Sequence, residues 1–215
     1  MSDTFQALRA ATPGEIEGLA LARFVSRLGI EVRSPGTFVW DSRGDLAAAW
    51  RLWLETWFAP VLAPAFVEIH RLAGEMRPDE IAGQDRVLDR ALSETLRTRS
   101  LAAGLAFLEG KSEMRANRKW TRFSELVAAG GTPGHATTLF ALQSALYHLP
   151  LAPALSAYAW FELESGLLPH TGYRNHSGTG NDALALFASA IPHVQVAISG
   201  ERGDFSAESP RLRAI

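Results

Sequence analysis

The chain has 215 residues, 47% of them apolar, with 21 basic against 23 acidic side chains for a formal charge of -2. That length and apolar share allow one large domain with a substantial core, while the near-balanced charge provides no field to attract nucleic acid or an anionic membrane. Cysteine is absent, which excludes disulfides, thiolate metal sites and cysteine nucleophiles and fits a reducing, cytoplasmic setting. Met1 to Ala11 lacks a basic start followed by an apolar core, and no uninterrupted apolar run approaches the roughly 20 residues of a membrane span.

Apolar residues recur at three- and four-residue spacing in almost every segment, and alternating runs are scarce, so the expected class is all-α. The pattern predicts a single helical domain over residues 1–215, built from about eight to ten helices, with flexible ends at 1–14 and 199–215. A first helix spans Glu15 to Leu28 and stops at Gly29. Ile30 to Val39 follows as an extended connector, broken by Ser34-Pro35-Gly36 and the best candidate for strand. Asp45 caps the next helix, whose Leu46, Trp50, Trp53, Leu54, Trp57 and Phe58 fall on one face. That tryptophan stripe reads as core. Pro60 and Pro64 are expected to bend or restart the helix, with Phe66 to Leu72 forming another that ends at Gly74. Pro78-Asp79-Glu80 reads as a helix start with acids at its positive end.

From Asp79 to Glu109, Ile81, Leu88, Leu92, Leu96, Leu101, Leu105 and Leu108 predict one long helix. On its wet side Arg90 with Glu94, or Glu94 with Arg97, is placed to pair, and Gly104 marks a close helix crossing. Lys111 to Arg122 is basic and reads as a solvated face, with a docking patch as the alternative. Gly130-Gly131-Thr132-Pro133-Gly134 breaks the chain before a helix from His135 to His148, and Pro150 with Pro153 separates that from a helix around Tyr158. A last helix covers Asn181 to Val196, followed by a polar tail from Ser199.

Several catalytic motifs are approached and not met. Gly104 to Gly110-Lys111-Ser112 has five intervening residues rather than the four of a phosphate-binding loop, and it ends a helix instead of joining a strand to one. Gly178-Thr179-Gly180-Asn181-Asp182-Ala183 fits a dinucleotide fingerprint in letters but follows no parallel-strand pattern. Glu68 and His70 are two apart and therefore on different helix faces, so zinc-ligand spacing is absent. A nucleophile elbow is also missing. His70, His135 and His148, on or at the ends of apolar helices, read as hydrogen-bonded structural groups. His170 and His176 differ, because one loop could bring them together with Tyr173 and Asn175 in a way that suits a metal, a proton transfer or a partner contact.

Four segments together resemble one family. They are Trp50-Arg51-Leu52-Trp53-Leu54-Glu55, Ser93 to Gly104 (against R-E-x-x-E-L-R and a glycine-bearing helix), Tyr158-x-Trp160-x-Glu162 (against Y-x-W-x-E), and Glu208 to Ile215 (against S-x-x-P-x-x-x-I). In these the chain resembles the UreF family of helical urease accessory proteins. Ala11-Thr12-Pro13-Gly14-Glu15 stands where that family carries A-L-P-V-G, His170 falls near the lysine of its V-K-L-x-P-x-G-Q loop, and Asn175-His176 near the Gly-Gln pair.

The resemblance implies no catalysis, no cofactor and no resident metal. It implies instead a cytoplasmic, homodimeric scaffold that binds a UreD/UreH-type protein and a UreG-type GTPase during nickel insertion. The residues it points to for partner binding are Tyr158, Trp160, Glu162, His170, Tyr173, Arg174, Asn175, His176 and Arg211. Two other readings stay open. One is an all-helical enzyme of heme-oxygenase-like or TenA-like type, which needs Glu68, His70, His148, Glu162 and Glu164 to converge. The other is a stand-alone binding module, favoured because no counterpart of the family's UreD/UreH-binding tail precedes Ile215.

Overall fold

The computed structural model describes residues 36–41, 43–75, 77–110, 117–167 and 179–200. Among these every regular element is a helix and no strand occurs, as the apolar spacing requires. In chain order they are α1 (Leu46–Gly74), then α2 (Pro78–Ala91), α3 (Glu94–Gly110), α4 (Arg118–Ala128), α5 (Ala136–Leu146), α6 (Leu151–Leu167), α7 (Thr179–Ala188) and α8 (Ile191–Ser199). The predicted helix Glu15 to Leu28 lies outside the described residues. Of the connector Ile30 to Val39, residues 36–39 are described, and they form neither helix nor strand.

The start of α1 follows the sequence closely. Asp45 Oδ1 accepts the Ala47 and Ala48 amides at 2.8 and 3.3 Å, satisfying donors that the first helical turn leaves open. Trp50, Trp53, Leu54 and Phe58 are buried, the face that periodicity predicts. The prolines behave differently from expectation, since the helix runs through both without a stop. Leu54–Leu62, which contains Pro60, is wound as a π-helix, and the Ala63 amide donates to the Phe58 carbonyl five residues back. Proline has no amide to give, and its ring collides with the carbonyl four residues earlier in an α-helix. The wider π winding accommodates both defects. Pro64 then falls in the first turn of the resumed α-helix, where no amide is required. By length and composition α1 could cross a membrane, but its Trp50, Phe58, Leu62, Phe66 and Ile69 side chains are fully buried against protein.

The single long helix predicted from Asp79 to Glu109 is two helices. Leu92 is extended, with ψ 142°, and the Ser93 hydroxyl accepts the Leu96 amide. Serine offers the backbone a hydrogen bond that competes with helix continuation, so Ser93 begins a new helix where the apolar stripe alone reads straight through. Arg97 turns back across this break, donating through Nε to the Asp89 carbonyl at 3.0 Å and lying 3.4 Å from Asp89 Oδ1. Two other boundaries also move. Pro150 alone separates α5 from α6, because Pro153 fits in the first turn of α6. The predicted helix Asn181 to Val196 is likewise split, into α7 and α8, with Pro192 in the first turn of α8.

At the centre lies α5, with Ala136 to Ser144 buried without interruption, packed chiefly on the Ala63–Gly74 part of α1 and on α3. Phe140 touches the rings of Phe66, Phe107, Tyr158 and Phe161, with centroids 5.5 to 6.3 Å apart. Such aromatic pairs add about 0.5–1.5 kcal/mol each beyond area burial. The crossing of α3 over the start of α5 depends on Gly104, because a Cβ there would drive into the carbonyl of Gly134. Gly104→Ala is therefore expected to lower stability in urea by about 1–3 kcal/mol, the usual cost of overpacking a contact with little freedom to shift. An unchanged midpoint would show that the crossing is loose.

Candidate functional site

Inside α6, a helix buried along most of its length, stands one buried carboxylate. Glu162 is fully buried, flanked by Phe161 and Leu163, with Tyr158 one turn earlier on the same face. Glu162 Oε2 accepts the Thr37 and Phe38 amides at 2.6 and 3.0 Å. Glu162 Oε1 accepts the Tyr158 hydroxyl at 2.7 Å, and that hydroxyl lies 2.8 Å from Thr137 Oγ1 on α5. One turn on, Ser165 Oγ accepts the Gly36 amide at 3.0 Å, while Arg99 Nε from α3 donates to the Gly36 carbonyl at 3.0 Å. A Cβ at residue 36 would collide with Glu162 Oε2 and Ser165 Oγ, so glycine is what lets the backbone come this close.

The consequence is a strand-like segment held without a sheet. The amides of residues 36–38 and the Gly36 carbonyl are satisfied by side chains of α6 and α3, and the Phe38 ring drops into the core edge-on to Trp50 at 4.9 Å. Burial pushes the Glu162 carboxyl above its ordinary value, and its three donors pull in the opposite direction. The Tyr158 hydroxyl is pushed well up, first by burial and then by the charge of Glu162.

A second buried carboxylate organises the other end of α5. Asp85 of α2 accepts from Thr132 Oγ1 at 2.7 Å and the Gly134 amide at 2.6 Å through Oδ2, and from the His135 amide at 3.1 Å and Thr138 Oγ1 at 2.5 Å through Oδ1. It thus caps α5 from a neighbouring helix, with negative charge at the positive end of the dipole. The sequence reading missed Asp85. The available signal was a carboxylate between Ile81 and Leu88, on the stripe that faces the core.

His135, also fully buried, directs Nε2 at Asp89 Oδ1, 3.2 Å away, and its Nδ1 has no partner among the described residues. Burial lowers its pKa, against the pull of Asp85 and Asp89. A second proton would also leave Nδ1–H as a buried donor with nothing to receive it among the described residues, so burial and geometry both favour the neutral ring with its proton on Nε2.

The other residues singled out from sequence fall in three groups. Tyr158 and Glu162 are interior groups, with no surface to offer. Trp160 is half-buried, donates from Nε1 to Glu164 at 3.1 Å and meets Phe187 of α7 edge-on at 5.3 Å. His170, Tyr173, Arg174, Asn175, His176 and Arg211 lie outside the described residues. The convergence needed by an enzyme between helices does not occur among the described residues. His70 Nε2 bonds the Leu149 carbonyl at 3.0 Å, Glu68 pairs with Arg71, Glu164 takes Trp160, and His148 is exposed at a left-handed turn with φ 56°. No group of three or more metal-capable side chains occurs among them.

Glu162→Ala would leave the Thr37 and Phe38 amides without acceptors. At about 1–3 kcal/mol for each buried orphan donor, it should cost about 2–6 kcal/mol and speed hydrogen exchange at those two amides more than elsewhere. Uniform exchange changes would show that the segment is held by something else. For His135 the sign runs with its lowered pKa: the unfolded chain takes up a proton below the ordinary value of 6.5 while the native ring resists. The stability contributed by the neutral ring is therefore present above pH 6.5 and lost as pH falls below it. Accordingly, the destabilisation caused by His135→Gln should shrink between pH 7.5 and 5.5, measured as the difference from the unsubstituted chain in urea. A constant or growing difference would contradict the neutral assignment.

Comparison with known proteins gives a match to one family model, described as UreF, over residues 41–167. No curated protein and no solved structure matches the chain.

Proposed function

Because the chain belongs to the UreF family of urease accessory proteins, we propose that it is a single-domain, non-enzymatic scaffold for assembly of a nickel metallocentre. In this reading it works as a cytoplasmic homodimer that holds a UreD/UreH-type protein and a UreG-type GTPase together. The observation that carries it is the match itself, which takes in α1 to α6 and both buried carboxylates. The use of those carboxylates supports it. Asp85 and Glu162 are consumed by backbone and hydroxyl donors, which fixes loops and helix ends and leaves neither poised as a base.

Within the Tyr158-x-Trp160-x-Glu162 motif, the proposal divides the labour. Glu162, hydrogen-bonded by Tyr158, acts on a partner only through residues 37 and 38, whose amides it holds. Trp160 lies nearest the surface. Downstream of it in the sequence stand His170, Tyr173, Arg174, Asn175 and His176, which we propose as direct partner contacts together with Arg211. Aromatic and arginine side chains suit such a role because they supply large contact area with oriented donors.

The test is a pull-down of the full chain with purified UreD/UreH and UreG homologues, with light scattering for mass and metal analysis of the eluate. Capture of both partners by a metal-free dimer is the expected result. Failure to capture either, with stoichiometric metal retained by the chain alone, would overturn the scaffold reading.

A further inference from the structure

Away from Glu162, the end of α1, the start of α2, the start of α4 and Leu142 of α5 line a half-open cavity of about 200 Å³. Its floor is apolar, formed by Ala73, Ile81, Phe123 and Leu142, and its rim is cationic, formed by Arg77, Arg118, Lys119 and Arg122. Local counter-charge covers only part of that rim. Arg77 pairs with Glu80 and lies 3.5 Å from Glu75, and Arg122 lies 3.7 Å from Asp79. Arg118 and Lys119 have no ion pair among the described residues.

The placement of these two cations is the second observation. Asn117 caps α4 by accepting the Lys119 and Trp120 amides, so Arg118 and Lys119 occupy its first turn, which contains no acidic residue. Cations are disfavoured there by the helix dipole, and this is where acids usually stand. Two adjacent violations of a local rule, with no compensating acid among the described residues, mark a position kept for something other than folding.

We infer that this cavity is a docking site for an acidic segment of a partner protein, one apolar side chain filling the cavity and flanking carboxylates meeting Arg118, Lys119 and Arg122. The volume admits an apolar side chain of leucine size or larger, and an apolar anchor ringed by charge is the usual form of a small recognition site. The inference rests on the scaffold reading only in taking the occupant to be a protein. Its test uses no urease component, so the two can fail separately.

The probe is a fluorescein-labelled peptide, acetyl-Glu-Asp-Glu-Leu-Leu-Glu-Asp-Glu-amide, titrated with the full chain and followed by anisotropy. Three comparisons accompany it: the same peptide with serine for leucine, the same peptide with lysine for every acid, and phosphatidylglycerol vesicles. The acidic leucine peptide should bind and weaken with salt, and the serine peptide should lose at least about tenfold in affinity, as removal of an anchor side chain predicts. Arg118→Glu with Lys119→Glu should abolish binding while leaving thermal unfolding unchanged or raised, because acids suit the first turn of α4. No binding, equal binding of the serine or lysine peptide, or binding of vesicles alone would each overturn the inference.

Discussion

A carboxylate buried without a cation must be supplied with hydrogen-bond donors or it will not stay buried. Asp85 and Glu162 both meet that condition, and the fold is arranged around the donors that they gather. Asp85 draws the Thr132 to Thr138 stretch onto α2 and so fixes where α5 begins. Glu162 draws residues 37 and 38 onto α6 and so fixes where the chain enters the core. With its N-terminus set by Asp85 and its flank bonded through Thr137 to Tyr158, α5 can be buried along Ala136 to Ser144 and still have one register. Packing alone would leave such a helix freer to slide or rotate.

The two networks differ in how they tolerate protons. At Glu162 the chain of hydroxyls can reverse. As an anion Glu162 accepts from Tyr158, which accepts from Thr137; a protonated Glu162 would donate through Oε1 to Tyr158, whose proton would then turn toward Thr137. The two amides remain on Oε2 in either case. His135 has no such freedom, since its Nδ1 faces no acceptor among the described residues. Acidification therefore strains the Asp85 end of α5 before the Glu162 side, and the contrast follows from one unpartnered nitrogen.

Much of this was legible in the sequence, and what was not has identifiable causes. The all-α class, the Asp45 cap, the tryptophan face of α1 and the close approach at Gly104 all come from local rules, which depend on neighbours a few residues apart. The errors cluster where a single local signal competes with the helical period. Ser93 breaks a stripe that reads as continuous, Pro192 splits a helix, and Pro60 is absorbed by a π winding that no pattern of apolar residues announces. In the candidate site, Tyr158, Trp160 and Glu162 were marked by their resemblance to the family's Y-x-W-x-E segment, but burial of the first and third depends on residues 36–38, more than a hundred positions earlier. The role of Asp85 is equally non-local, since its donors are about fifty residues away.

That distribution bears on what kind of protein this is. An enzyme between helices exposes its charged groups to a cavity and leaves them incompletely satisfied, so that substrate can complete the set. Here the order is reversed: among the described residues the interior carboxylates are satisfied, and charges without an ion pair lie outside, Arg118 and Lys119 in the first turn of α4 among them. Polar groups of the core specify one arrangement of helices, and that arrangement presents cations at a place where folding alone would prefer acids. A chain built so has its internal electrostatics devoted to holding shape and its external electrostatics available for association, the division on which the proposed scaffold role relies.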